Sequence, residues 1–133
     1  MSAKENLDTV RAVLSGFNNN NAAAALNDTV HPDLRYTIRG RATVSGMYVG
    51  RKAMADAVRQ IKELTNGTMT AVPEVVMAEG DNVMAYMRVT GERSDGRTYD
   101  NYQAYLFRFR EGKLIEGQTI PVDQHAFEEF LRD

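Results

Sequence analysis

The chain has 133 residues, 43% hydrophobic and 26% charged, enough for one hydrophobic core and too few for two domains. A formal net charge of -2 leaves no basic footprint for nucleic acid, whose binding rests on neutralising phosphates. There is no cysteine, so disulfides and thiolate chemistry are excluded, and two histidines, His31 and His125, are sparse material for a metal site.

The opening Met1-Ser2-Ala3-Lys4-Glu5-Asn6 lacks an apolar signal core, and no run approaches the roughly 20 apolar residues that span a bilayer. The expectation is a cytoplasmic, single-domain protein over residues 1–133, with no membrane partner, metal or cofactor. Ser2-Ala3-Lys4-Glu5 is a capping-box pattern, and Leu7, Val10, Val13, Leu14 and Phe17 follow at helical spacing, predicting a first helix over 3–17. Asn18 to Asn21 interrupts it, and four alanines with Leu26 predict a short second helix reaching Val30. His31-Pro32-Asp33 predicts a turn, and the alternating Leu34 to Arg39 a first strand ending at Gly40.

Residues 41–50 read as a loop holding Gly46, Met47-Tyr48-Val49 and Gly50. A third helix is predicted over 51–65, its apolar face formed by Met54, Ala57, Val58, Ile61 and Leu64, stopped by Asn66-Gly67. The rest reads as an antiparallel meander with strands over 68–79, 82–93 and 97–110 and a last one reaching Val122. These exceed the usual ~5–6 residues, which implies coiling or bulges, and Pro73 and Pro121 suit edges, strand ends or bulges. Phe127, Phe130 and Leu131 give the tail helical spacing. Helices followed by four long strands predict an α+β fold with helices packed on a strongly bent sheet that encloses a pocket.

Strand alternation puts Val83, Ala85, Met87 and Val89 on one face of the second long strand, and Tyr99, Asn101, Gln103, Tyr105, Phe107 and Phe109 on one face of the third. The opposite faces, with Met84, Tyr86 and Arg88 and with Tyr102, Ala104, Leu106 and Arg108, are half apolar, which predicts a homodimer through the outer sheet. On the last strand, parity places Ile115, Gly117, Thr119, Pro121 and Asp123 toward the hollow, an assignment that a bulge at Pro121 would reverse. Asp123 is then a candidate general acid or base; standing just before a helix, it is equally a candidate N-cap. His125, two residues on, pairs with it only if the chain stays extended, whereas His31 belongs to the turn.

Tyr105 and Gln103 can donate to a carbonyl or enolate oxygen. Tyr36 and Arg39 lie on opposite faces of their strand, so at most one of them points inward. Tyr48, between two glycines, is placed to gate the mouth or to cover a core edge. Met54, Val58, Met87 and Phe107 complete a candidate hydrophobic wall for a small-molecule ligand.

His31-Pro32-Asp33, the Gly46–Gly50 segment, Arg97 through Phe107-Arg108-Phe109, Glu111-Gly112-Lys113-Leu114-Ile115 and Asp123-Gln124 with Phe127 and Phe130 together resemble the nuclear transport factor 2-like superfamily, in its SnoaL-like, polyketide-cyclase-like branch. The resemblance covers the chain and implies a cone-shaped α+β barrel, three N-terminal helices on a curved, mainly antiparallel sheet. It implies cofactor-independent acid/base chemistry of cyclase, isomerase, dehydratase or hydrolase type on a hydrophobic carbonyl-bearing or polycyclic molecule. Non-catalytic binding or assembly modules share the fold. The ketosteroid isomerase positions fall on Val13, Ile38 and Tyr105, and the epoxide hydrolase relay meets Thr90 where its second acid belongs, two residues after Arg88. The acid/base position of the polyketide cyclases falls on Asp123.

Overall fold

The computed structural model describes residues 2–21 and 28–133. Ser2 opens the molecule with a capping box: its hydroxyl accepts from the Glu5 N–H at 3.1 Å, and the Glu5 carboxylate accepts from the Ser2 N–H at 3.5 Å. Helix α1 (Ala3–Asn18) follows and buries Val10, with Leu7, Val13, Leu14 and Phe17 packed beside it. Its last residue fixes it to the sheet, because the Asn18 amide donates to the Ala71 carbonyl and accepts from the Ala71 N–H, both at 2.8 Å. The expected second helix falls largely on residues outside those described; Asp28 and Thr29 are helical, and Val30 already belongs to a strand.

A six-stranded sheet has the order β2-β1-β6-β5-β4-β3. Its members are β1 (Val30–Ile38), β2 (Gly46–Val49), β3 (Thr70–Glu79), β4 (Asn82–Glu92), β5 (Thr98–Arg110) and β6 (Lys113–Pro121). Helix α2 (Arg51–Leu64) precedes β3, and α3 (Gln124–Leu131) follows β6. The meander pairs antiparallel, while β1 lies parallel to β6.

The turn and loop expectations around the first strand need correction. His31-Pro32-Asp33 lies inside β1 rather than before it, where the pairing with β6 shifts register between Val30 and Arg35. Proline cannot donate to a ladder, so the local signal reads as a turn while the strand continues through an irregularity. The segment read as a loop contains β2: Gly46 and Gly50, at φ 139° and 91°, turn the backbone so that Met47-Tyr48-Val49 folds back on β1. The sheet bends at register shifts between Pro73 and Val75 and between Arg108 and Phe109.

The inner face carries the buried Val83, Ala85, Met87 and Val89 of β4 and Tyr99, Asn101, Gln103, Phe107 and Phe109 of β5, in the predicted alternation. On β6 the parity holds for Gly117, Thr119 and Pro121, but Leu114 rather than Ile115 is buried, because the shift near Phe109 re-phases the strand. The outer face exposes Met77, Met84, Tyr86 and Val122, with Tyr86 and Tyr102 stacked at 4.9 Å. No helix among the described residues is long and apolar enough to cross a membrane.

Candidate functional site

Helices α1, α2 and α3 close over the concave sheet and leave a cavity of about 130 Å³. An apolar cavity of ~150 Å³ holds a benzene molecule, so this one is of single-ring size. Its wall is almost wholly apolar: Val13 and Phe17 from α1, Met54, Val58 and Ile61 from α2, Met87 from β4, and Phe127 from α3. Polar atoms enter from Thr9, Tyr36, Gln103, Tyr105 and Thr119. Of these, Thr9 spends its hydroxyl on the Glu5 carbonyl within its own helix.

Gln103 and Tyr105 end a directed hydrogen-bond chain that begins at Asn101 and Tyr99 behind the wall, and its direction is set by backbone. The Asn101 amide oxygen accepts from the N–H groups of Tyr102 at 2.8 Å and Asp123 at 3.4 Å, which fixes the amide's orientation. Its nitrogen therefore donates to the Asp123 carbonyl at 3.0 Å and to Tyr99 Oη at 2.8 Å. Tyr99 passes its own proton to Gln103 Oε1 at 2.7 Å, so Gln103 Nε2 faces Tyr105 Oη and donates to it at 2.6 Å. Tyr105 only accepts in this chain, and its O–H proton has no acceptor among the described residues. Nearby, Tyr36 Oη and Thr119 Oγ1 share one proton at 2.7 Å, leaving the pair a second to give.

These hydroxyls stay neutral. Burial raises the Tyr105 pKa well above the ordinary tyrosine value, with Tyr36 and Tyr99 nearby adding to the rise and the Gln103 bond opposing it. Burial likewise raises Tyr36 and Tyr99, each eased by its hydrogen bond with Thr119 or Asn101. Among the described residues, no aspartate, glutamate, histidine, lysine or arginine lines the cavity. No three histidine, aspartate or glutamate side chains gather into a metal-binding group among them either.

Of the residues singled out in the sequence, Tyr36, Met54, Val58, Met87, Gln103, Tyr105 and Phe107 come together in the cavity wall. Asp123 does not. The strand ends at Pro121, and Asp123 is the exposed N-cap of α3, accepting from the Ala126 N–H at 2.9 Å. His125 is exposed on the first turn of α3, and no hydrogen bond joins it to Asp123. The chain turns helical at Gln124, so the extended geometry that a pair at this spacing needs is lost. Tyr48 lies outside the wall and donates its hydroxyl to the Val44 carbonyl, covering a core edge rather than gating the mouth. Arg39 points outward to Gln118, so Tyr36 is the inward member of that strand. Sequence reasoning missed Tyr99 and Asn101 as members of the polar chain and Thr119 as a partner. The signal was present, because the three share the inward parity already assigned to Gln103 and Tyr105.

Comparison with known proteins agrees with this geometry. A family model described as a SnoaL-like domain matches residues 10–117. Bal32a, from a soil-derived mobile gene cassette, superposes with a TM-score of 0.92 at 29% identity, covering 98% of each chain. TerC, whose structure was determined with polyporic acid, superposes with a TM-score of 0.84 at 19% identity over 96% of this chain and 98% of its own. An uncharacterised protein of Mycobacterium tuberculosis is 25% identical over 131 residues, 98% of each chain. The helices curled over a bent sheet, the apolar cavity between them and a family match spanning most of the chain lead to one assignment: the protein belongs to the SnoaL-like family.

Proposed function

We propose that this protein holds an apolar small molecule of about single-ring size bearing a carbonyl group, whose oxygen accepts the hydrogen bond that Tyr105 has to give. The observation that carries this is the uncommitted proton of Tyr105, whose oxygen already accepts from Gln103, in an almost wholly apolar wall. A few convergent polar groups in an apolar hollow are the usual form of a ligand site. Binding comes first in this reading, because the lining residues hold no group that exchanges protons near neutral pH. The experiment is a calorimetric titration of matched pairs, such as acetophenone against ethylbenzene. The ketone should bind about tenfold tighter, the worth of one net hydrogen bond. Equal affinity would remove Tyr105 from the reading.

A second reading, a cofactor-independent acid/base enzyme of cyclase or isomerase type, has one specific support. The backbone of Asp123 anchors the Asn101 end of the chain that terminates at Tyr105. In an enzyme, Tyr105 would stabilise an enolate oxygen, and Asp123, an exposed helix cap outside the cavity wall, would have to reach the proton from there. Asparagine caps helices about as well as aspartate. Asp123→Asn therefore leaves stability unchanged in either case, and costs on the order of 10²-fold in turnover only if the carboxylate is the base.

We also infer a homodimer through the outer sheet face. The exposed apolar band of Met77, Met84, Tyr86 and Val122 supports it.

A further inference from the structure

On the side of the sheet away from the cavity, the outer face holds a groove of about 360 Å³. Arg35, Thr37 and Arg39 line it from β1 and its continuation, Arg108 from β5 and Glu116 from β6. The three β1 positions alternate with the buried Leu34, Tyr36 and Ile38, so their side chains stand in a row on the outer face. The row keeps its register to the end, because the Arg39 N–H still donates to the Thr119 carbonyl at 3.1 Å. Glu116 is the register partner of both Arg35 and Arg108. Three arginines against one glutamate leave two positive charges in excess, in a chain whose net charge is -2.

The fold leaves these charges largely unspent. Arg108 lies 3.8 Å from the Glu116 carboxylate, which takes up the groove's one acid. Arg39 directs Nε and Nη2 at a single neutral acceptor, Gln118 Oε1, at 3.1 and 3.0 Å, so no acid meets its charge. Among the described residues, the Arg35 guanidinium has no hydrogen bond or ion pair, and the Thr37 hydroxyl between the two arginines has no partner. We propose that this groove binds a phosphate monoester, its phosphoryl oxygens held by Arg35, Thr37 and Arg39. Guanidinium forks suit such oxygens, and the group carries about -1.5 to -2 charge at pH 7, close to the excess in the groove. A carboxylate would offset only half of it. Met47 and Leu106, the apolar members of the lining, suit an ester whose alcohol part is apolar. The groove shares no residue with the cavity or with the apolar band of the outer face, so the proposal stands apart from both readings above.

The test is titration calorimetry at low ionic strength with phenyl phosphate and benzoate, on the wild type, Arg35→Gln and Arg39→Gln. Both arginines are exposed, so melting curves of the two variants should match the wild type. The wild type should bind phenyl phosphate about tenfold tighter than benzoate, and each variant should lose about tenfold in phenyl phosphate affinity. Added salt should weaken the binding in the wild type. A wild type that does not bind phenyl phosphate overturns the proposal. So does binding that both variants retain at full strength, which would place the phosphate elsewhere. Equal affinity for benzoate would overturn the assignment to a doubly charged group.

Discussion

Tyr105→Phe separates the two consequences of the inner hydrogen-bond chain. The substitution removes one oxygen and keeps the ring, so the apolar wall and its stacking on Phe107, at 5.9 Å, survive. What changes is Gln103, which is 3% exposed and loses the acceptor of its Nε2–H at 2.6 Å. Leaving a buried donor unpaired costs about 1–3 kcal/mol. At about 2.1 cal/mol/K per residue, 133 residues give an unfolding entropy of about 280 cal/mol/K, so this cost corresponds to a fall in Tm of about 4–11 °C. The same variant should weaken a ketone ligand about tenfold and leave a hydrocarbon of the same shape unaffected. Differential scanning calorimetry and titration calorimetry on one preparation read both effects. An unchanged melting temperature together with unchanged ketone affinity would refute the proton accounting on which the site rests.

Three other outcomes follow from the structure. A Cβ on Gly117 would lie 2.4 Å from Tyr36 Cε2, so Gly117→Ala should displace the Tyr36 ring, cost about 1–3 kcal/mol by urea denaturation and weaken any cavity ligand. Burial raises the folded-state pKa of Tyr36, Tyr99 and Tyr105, so the unfolded chain loses these protons first; stability should be fully present below about pH 10 and fall as pH rises toward the folded values, read as a declining urea midpoint, whereas a flat profile would show these hydroxyls to be solvated. Light scattering at micromolar concentration should report about twice the 14.9 kDa chain mass, and a monomer would leave the outer apolar band without its second copy.

Much of the fold was legible because strong periodic signals agreed with one another. The capping box at Ser2 and Glu5 and the stripe at Val10, Val13 and Phe17 define α1, and alternation along β4 and β5 identifies the inner face. The exceptions share a cause. At His31-Pro32-Asp33 and at Gly46–Gly50, the local residues favour turns, while partners distant in the chain, β6 and β1, supply ladder bonds that no local window contains. The site divides the same way. Parity along β5 finds Gln103 and Tyr105, but parity carried past Pro121 misplaces Asp123, because alternation ends where the strand does. The direction of the chain from Asn101 to Tyr105, unlike its membership, was beyond the sequence. Its order depends on which atom of the Asn101 amide meets the backbone of Tyr102 and Asp123.

The central claim is that Tyr105 gives its proton to a ligand carbonyl inside the cavity, and the carbonyl stretch of bound acetophenone, labelled with ¹³C at the carbonyl, tests it most directly. Infrared difference spectra of the wild type should show the band at lower frequency than in an apolar solvent, because a hydrogen bond from Tyr105 Oη weakens the C=O bond. In Tyr105→Phe the band should return toward its apolar-solvent position. A bound ketone whose band is the same in both proteins would contradict the account.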